Sequence, residues 1–184
     1  MLRIIGISGS LRKGSFNSSL LRAAVELRLP DLQIEPCSIR GIPLYDGDVE
    51  TEGVPPEVAQ LKEKIAAADG VLLVTPEYNN SIPGVFKNAI DWLSRPASDI
   101  PRVFGQRPIA MIGASPGRFG TILSQNAWLP VLRTLGTRAY FASPLYVSTA
   151  SEAFDEKGNL IDQGVRDRLL KFLQGFSKFI AARG

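Results

Sequence analysis

The sequence predicts a doubly wound α/β fold, with helices on both faces of a five-stranded parallel sheet. Short apolar runs alternate with helical patterns five times along the 184 residues. These runs lack the polar–apolar alternation of half-exposed strands, as expected for strands buried on both faces. A helix between successive strands implies right-handed crossovers and therefore parallel strands. Because no repeat, linker or low-complexity tract divides the chain, we assign residues 1–184 to one domain.

Each element follows from its local pattern. Strands are predicted at residues 2–8, 33–39, 70–75, 108–115 and 138–141, and helices at residues 17–29, 55–68, 83–94, 120–135 and 163–182. The run GVLLVT (70–75) is the most apolar, which favours a central strand. Pro55 and Pro56 suit a first helical turn, where a missing N–H is harmless, whereas Pro130 predicts a kink or break.

The composition excludes several classes of function. Histidine is absent, so neither a Ser-His-Asp nor a Cys-His catalytic unit can form, and we predict no metal site. Lys and Arg (21) exceed Asp and Glu (18) by too little to predict nucleic-acid binding. The single cysteine, Cys37, is interpreted as a buried structural thiol, because the sequence shows no cationic neighbour to activate it.

The N-terminal residues predict a cytoplasmic protein. Met1, Leu2 and Arg3 lead directly into the first strand, without the pattern of a signal peptide. Apolar runs stay shorter than the roughly 18 residues that span a bilayer, so we expect no membrane association.

Ligands of doubly wound sheets bind outside the carboxyl ends of the strands, which here selects three loops. The first lies in GISGSLRKGSFNSSLL (6–21) and ends at a helix N-terminus, where free N–H groups favour an anion. Ser10, Ser15 and Asn17 add polar side chains, and Arg12 adds a charge suited to a phosphate. The loop matches neither the nucleoside-triphosphatase nor the dinucleotide glycine motif, so a phosphate monoester is favoured. The alternative is that Ser and Asn only cap the helix.

The second loop, TPEYNNSIPG (75–84), combines a carboxylate, an aromatic ring and two amides. Such a mixture suits a planar heteroaromatic ligand, whose polar edge binds amides while an aromatic or proline face covers one side. The alternative is that Tyr78 packs into the protein and that Asn79 and Asn80 only form a turn. The third loop comprises residues 116–119 after the fourth strand.

Four segments carry a resemblance to a known family: GSLRKGSFN (9–17), TPEYNNSIPGVFKNAIDWLSRP (75–96), GASPGRFG (113–120) and GNLIDQG (158–164). The chain resembles the NADPH-dependent FMN reductases, flavodoxin-like proteins that include bacterial quinone, chromate and azo reductases. The resemblance implies the sheet order 2-1-3-4-5. It also implies roles for the loop residues, with the FMN phosphate held by Ser10, Arg12, Ser15, Asn17 and the backbone of Phe16. The isoalloxazine would then lie along Pro76, Glu77, Tyr78 and Asn79, with Ser115 closing the other side.

The resemblance implies an enzyme that passes hydride from NADPH or NADH through FMN to a small acceptor: a quinone, chromate, an azo compound or free flavin. Such chemistry needs no protein nucleophile or base, so we assign no catalytic side chain. Asn80, Arg118 and Phe119 depart from the family pattern and border the acceptor space, which leaves the acceptor open. One alternative is a flavodoxin-like electron carrier, although such carriers dock through acidic faces and this chain has a net charge of +3. Another is a reductase that supplies reduced FMN to a partner monooxygenase.

The helix at residues 83–94 predicts a homodimer or homotetramer. Apolar residues lie on more than one of its sides: Val85, Phe86, Ile90, Trp92 and Leu93. A helix that covers a sheet with one stripe does not need so many, so we expect a second copy of the chain against it. The alternative is a deeper core contact within one chain.

Overall fold

The computed structural model describes residues 1–182. Its sheet has five parallel strands in the order β2-β1-β3-β4-β5, which confirms the predicted fold and strand order. The strands are β1 (Leu2–Ser8), β2 (Leu32–Cys37), β3 (Gly70–Val74), β4 (Pro108–Ala114) and β5 (Arg138–Val147). Every residue of β3 is buried, as expected for the middle strand.

The helices flank this sheet on both faces. They are α1 (Phe16–Glu26), α2 (Gly47–Glu52), α3 (Pro56–Ala66), α4 (Gly84–Leu93), α5 (Ile100–Val103), α6 (Ile122–Thr134), α7 (Ala150–Ala153) and α8 (Gln163–Ala181), with a 3-10 turn at Ala97–Asp99. One apolar cluster packs α1 and α8 against one face of the sheet, and a second packs α3, α4 and α6 against the other.

Most boundaries shift by one to three residues, and two elements differ further from the sequence-based prediction. Strand β5 continues to Val147, because a shift in its register with β4 absorbs the residues around Pro144 and pairing resumes at Leu145. Helix α6 continues through Pro130, so the predicted break is wrong. Pro130 and Asn126, one turn earlier, are both exposed, so the carbonyl left without an intrahelical donor is open to water.

The apolar surface of α4 is covered within one chain, which removes the premise of the dimer argument. Phe86, Trp92 and Leu93 are fully buried. The ring of Tyr45 packs edge-on against Trp92 at 5.0 Å, and Trp92 Nε1 donates to the Pro43 carbonyl at 3.0 Å. Of the apolar residues named for this helix, Val85 remains 39% exposed. The segment before α2 therefore provides the cover that was expected from a second copy.

Cys37 differs from its predicted environment. It lies half-buried at the end of the edge strand β2, with Lys64 Nζ 3.9 Å from its Sγ. The interpretation as a buried thiol without a cationic neighbour is therefore wrong. Burial nevertheless raises the pKa of the Cys37 thiol, with the ammonium of Lys64 opposing part of that effect. Among residues 1–182, no helix combines the length and apolar character that crossing a bilayer requires.

Candidate cofactor-binding site

The loops after β1, β3 and β4 meet at the carboxyl edge of the sheet, as the sequence predicts. Strand β3 lies between β1 and β4, so the three loops are neighbours. Hydrogen bonds join them at their starts. The Gly9 N–H donates to the Val74 carbonyl, and the Thr75 N–H donates to the Ile112 carbonyl, both at 2.9 Å. The parallel register therefore brings distant segments of the sequence to one site.

Gly9 lets the first loop pass directly over α4. A Cβ atom at this position would lie 2.1 Å from the Phe86 ring, which is fully buried. Phe86 in turn packs edge-on against Trp128 of α6 at 5.1 Å. The start of the loop thus rests on a rigid aromatic layer that accepts only glycine above it.

The first loop ends at an open helix N-terminus. Ser15 caps α1, because its Oγ accepts the N–H groups of Asn17 at 3.2 Å and Ser18 at 3.4 Å. In the described chain, the N–H groups of residues 13–16 donate to no protein acceptor. The first turn of α1 contains no acidic residue. Free amides, the helix dipole and the absence of a competing carboxylate make this place suitable for a phosphate.

Three predicted phosphate ligands border these amides. Ser10 is half-buried, and its Oγ accepts the Arg12 N–H at 3.3 Å. The Arg12 guanidinium is exposed and lies 5.7 Å from the centre of the Phe16 ring. Phe16 stacks on Phe154 at 5.9 Å, which fixes the start of α1. The Arg12 side chain therefore lies beside the helix terminus and retains donors for a ligand.

Asn17, which the resemblance implies as a phosphate ligand, has a structural role in this structure, and its ligand role stays a prediction. Its side chain is buried and bridges to β4, since Nδ2 donates to the Ala114 carbonyl at 2.8 Å. Its Oδ1 accepts the Ala114 N–H at 2.9 Å. This pair of bonds satisfies the end of β4 and ties α1 to it. Asn17 thus positions the phosphate loop relative to the loop after β4.

The second loop folds into a two-residue hairpin. Asn79 and Asn80 have φ angles of +49° and +61°. Tyr78 and Ser81 exchange backbone hydrogen bonds of 3.2 and 3.0 Å across the turn. Asparagine tolerates this left-handed conformation better than most residues, which explains the pair. The turn interpretation is therefore confirmed for both asparagines, whereas Tyr78 does not pack into the protein and is 50% exposed.

Glu77 caps a second helix. Its Oε2 accepts the N–H groups of Leu123 at 2.9 Å and Ser124 at 3.0 Å, in the first turn of α6. The carboxylate occupies the anion-favouring end of α6 and leaves that of α1 open. This contact couples the loop after β3 to the loop after β4, which sequence spacing does not indicate.

A buried polar network supports the second loop from below. The hydroxyls of Thr75 and Ser124 lie 2.9 Å apart, and Trp128 Nε1 donates to Thr75 Oγ1 at 3.1 Å. All three side chains are fully buried. Pro76, which follows, is buried as well. No local pattern predicts this network, because its members come from two elements separated by about fifty residues in the chain.

The third loop follows β4 and is shaped by hydrogen bonds of Ser115. Ser115 is half-buried, and its Oγ accepts the Gly117 N–H at 3.0 Å. Its backbone pairs with Val147 and Ala150, at 3.0 and 3.1 Å. Beyond it, Arg118 is exposed and Phe119 is 78% exposed. Both side chains are thus accessible at the end of this loop.

The open amides at α1 suit a phosphate, and the hairpin after β3 and the Ser115 loop lie at the same edge of the sheet. The donors are backbone N–H groups, hydroxyls and a guanidinium, which suit a phosphate ester of a heteroaromatic compound. FMN has this chemistry.

Comparisons with known proteins agree with this chemistry. The profile of the family described as NADPH-dependent FMN reductase matches residues 2–152. An NAD(P)H-dependent FMN reductase from Pseudomonas aeruginosa is 43% identical over 179 residues, 97% of this chain and 95% of the relative. A 2-hydroxy-1,4-benzoquinone reductase from a Burkholderia species is 38% identical over 183 residues, 99% of this chain and 98% of the relative. The solved structure of FerB, a flavoenzyme NAD(P)H:(acceptor) oxidoreductase from Paracoccus denitrificans, superposes with a TM-score of 0.88 at 33% identity and covers 98% of both chains.

Proposed function

Because the chain belongs to the NADPH-dependent FMN reductase family, we propose that its three loops hold FMN and that it reduces quinones with NAD(P)H. It is an FMN-dependent NAD(P)H oxidoreductase with a flavodoxin-like fold. Quinone is favoured as the acceptor because relatives at 38% identity over nearly the whole chain are named as quinone reductases. The observation that carries the proposed cofactor site is the row of open amides at residues 13–16 beside Arg12.

Each loop has a distinct task in this proposal. Ser10, Arg12, Ser15 and the Phe16 amide bind the phosphate, while Asn17 holds the loop against β4. Pro76, Glu77, Tyr78 and Asn79 border the ring. Of these, Glu77 also fixes the hairpin to α6 through its Oε2 atom. Ser115 orients the loop on the other side.

Bound FMN supplies the chemistry, namely acceptance of hydride from NAD(P)H and its transfer to the second substrate. The chain itself binds the cofactor, orients its ring and shields it. The backbone N–H groups of Glu77 and Asn79 are suited to stabilise negative charge on the polar edge of a ring. The exposed Arg118 and Phe119 border the space that an acceptor must enter, and we assign acceptor selection to them.

A flavodoxin-like electron carrier is the less favoured function. Carriers of that kind dock on protein partners through strongly acidic faces, whereas this chain carries a net charge of +3. A net basic protein instead favours the approach of an anionic dinucleotide.

The experiment is to purify the protein, add FMN, remove the excess by gel filtration and mix the yellow protein anaerobically with NADPH or NADH. We expect bleaching of the flavin absorbance, followed by its return when 1,4-benzoquinone is added. Retention of the flavin through gel filtration argues against a reductase that releases FMN to a partner. A protein that binds no FMN would refute the proposed function.

A further inference from the structure

The phosphate loop is held from outside by the side chain of Arg40, in the segment after β2. The Arg40 guanidinium donates to the Leu11 carbonyl at 2.5 Å. Across residues 1–182, this is the one hydrogen bond that joins residues 11–14 to another part of the chain. The middle of the loop is otherwise exposed, so its conformation depends on this contact.

The contact fixes one peptide group at both of its ends. Arg40 holds the Leu11 carbonyl, and Ser10 Oγ accepts the N–H of Arg12 at 3.3 Å. Because a peptide group is planar, these two bonds set the orientation of the whole unit. That orientation sets the direction in which the chain continues to the open amides of residues 13–16.

Arg40 is itself presented from a rigid support. Strands β1 and β2 pair in register, with Ile7 opposite Cys37, so the segments after them leave the sheet side by side. Ile39 is buried in the core, and the Arg40 N–H donates to Ser38 Oγ at 3.0 Å. The guanidinium therefore reaches the loop from a backbone that the buried Ile39 anchors to the core.

The positive charge of Arg40 is a second contribution to phosphate binding, beside its hydrogen bond. The loop already contains Arg12 and Lys13, and residues 6–21 contain no Asp or Glu. Arg40 adds a third cation next to them. Because Arg40 is exposed, salt screens its long-range charge, whereas a direct hydrogen bond persists in salt. The two contributions can therefore be separated by experiment.

We propose that Arg40 is a positioning residue for cofactor binding, which holds the loop after β1 in the conformation that receives the FMN phosphate. The inference rests on the proposed function, because it requires this loop to bind that phosphate. It assigns a binding role to a residue outside the three loops that the sequence selects.

The first test compares the variant Arg40→Met with Lys171→Met, which removes the same charge from the exposed surface of α8. FMN and riboflavin, which lacks the phosphate, are titrated into each apoprotein. We expect Arg40→Met to weaken FMN binding by about five- to thirtyfold, with riboflavin affinity changed by less than about twofold. The FMN difference should persist in about 0.5 M NaCl. Lys171→Met should match the wild type for both ligands.

The second test measures backbone amide hydrogen exchange in the apoproteins, which needs no bound flavin. Exchange should be faster in Arg40→Met than in the wild type or Lys171→Met at Arg12, Asn17 and Ser18, whose N–H groups donate to the Ser10 and Ser15 hydroxyls. Unchanged exchange, equal losses of FMN and riboflavin affinity, or a difference abolished by salt would each overturn the positioning role. If the wild type binds FMN and Arg12→Ala weakens it while Arg40→Met does not, this inference fails alone. If the wild type binds no FMN, the proposed function fails and this inference fails with it.

Discussion

Arg12 is the residue at which the proposed phosphate site is most directly tested. Replacing it with alanine removes a charge-assisted hydrogen bond to FMN, which should cost roughly 1.5 to 3 kcal/mol, about ten- to a hundredfold in affinity. The fold should be unchanged, since the Arg12 side chain is exposed. Fluorescence titration with FMN measures the effect, and Lys171→Ala serves as the control. Equal affinity in the two variants would make Arg12 an ordinary surface charge.

A substitution at Asn79 tests whether the residues that bind the phosphate differ from those that set the flavin reduction potential. Replacing it with alanine should change the flavin reduction potential and turnover more than FMN retention, because the phosphate anchor remains. Its φ angle of +49° adds backbone strain to that substitution, so Asn79→Gly is the matched variant that keeps the turn without the amide. Potentiometry and titration should give similar results for both variants. A parallel loss of FMN and riboflavin binding would contradict this separation of roles.

At the scale of elements, Glu77 joins the hairpin after β3 to the start of α6. Replacing it with alanine leaves two amides of the helix without their acceptor, which should lower stability by about 0.5 to 2 kcal/mol. Glu77→Gln retains an acceptor oxygen and should lose less. Urea unfolding of the apoproteins measures both. If both variants have the same unfolding free energy as the wild type, the Glu77 cap contributes no stability in solution.

At the scale of the whole molecule, we retain the prediction of a dimer or tetramer on different grounds. Trp92 is covered by Tyr45, so the apolar excess of α4 no longer supports it. Exposed apolar side chains nevertheless remain on α4, on α6 and at the hairpin: Tyr78, Val85, Leu123 and Leu129. Tyr78, Val85 and Leu123 lie in or next to the loop after β3, where a second copy would shield the bound ring.

Light scattering at micromolar concentration should give at least twice the chain mass of 20.0 kDa, with or without FMN. The variant Val85→Glu should shift the protein towards the monomer, because it places a charge in the proposed apolar interface. The control Lys171→Glu changes the charge on another surface and should leave the mass unchanged. A wild-type monomer that is fully active would contradict the prediction.

The sequence by itself determined the fold class, the strand order through the family resemblance, and the loops that border the site. It could do so because buried parallel strands, helix starts and turn residues leave local patterns. The turn at Asn79 and Asn80 and the helix cap at Ser15 are predictable from local sequence, since a left-handed turn and a helix cap depend on neighbours in the chain. Only the tertiary structure decided the roles of Asn17, Glu77 and Arg40. Each bonds to backbone groups that lie far away in sequence, at distances set by how the strands pair and the helices pack. The burial of Trp92 beneath Tyr45 was decided in the same way, because the pattern of a helix shows how much apolar surface it has but not which segment covers it.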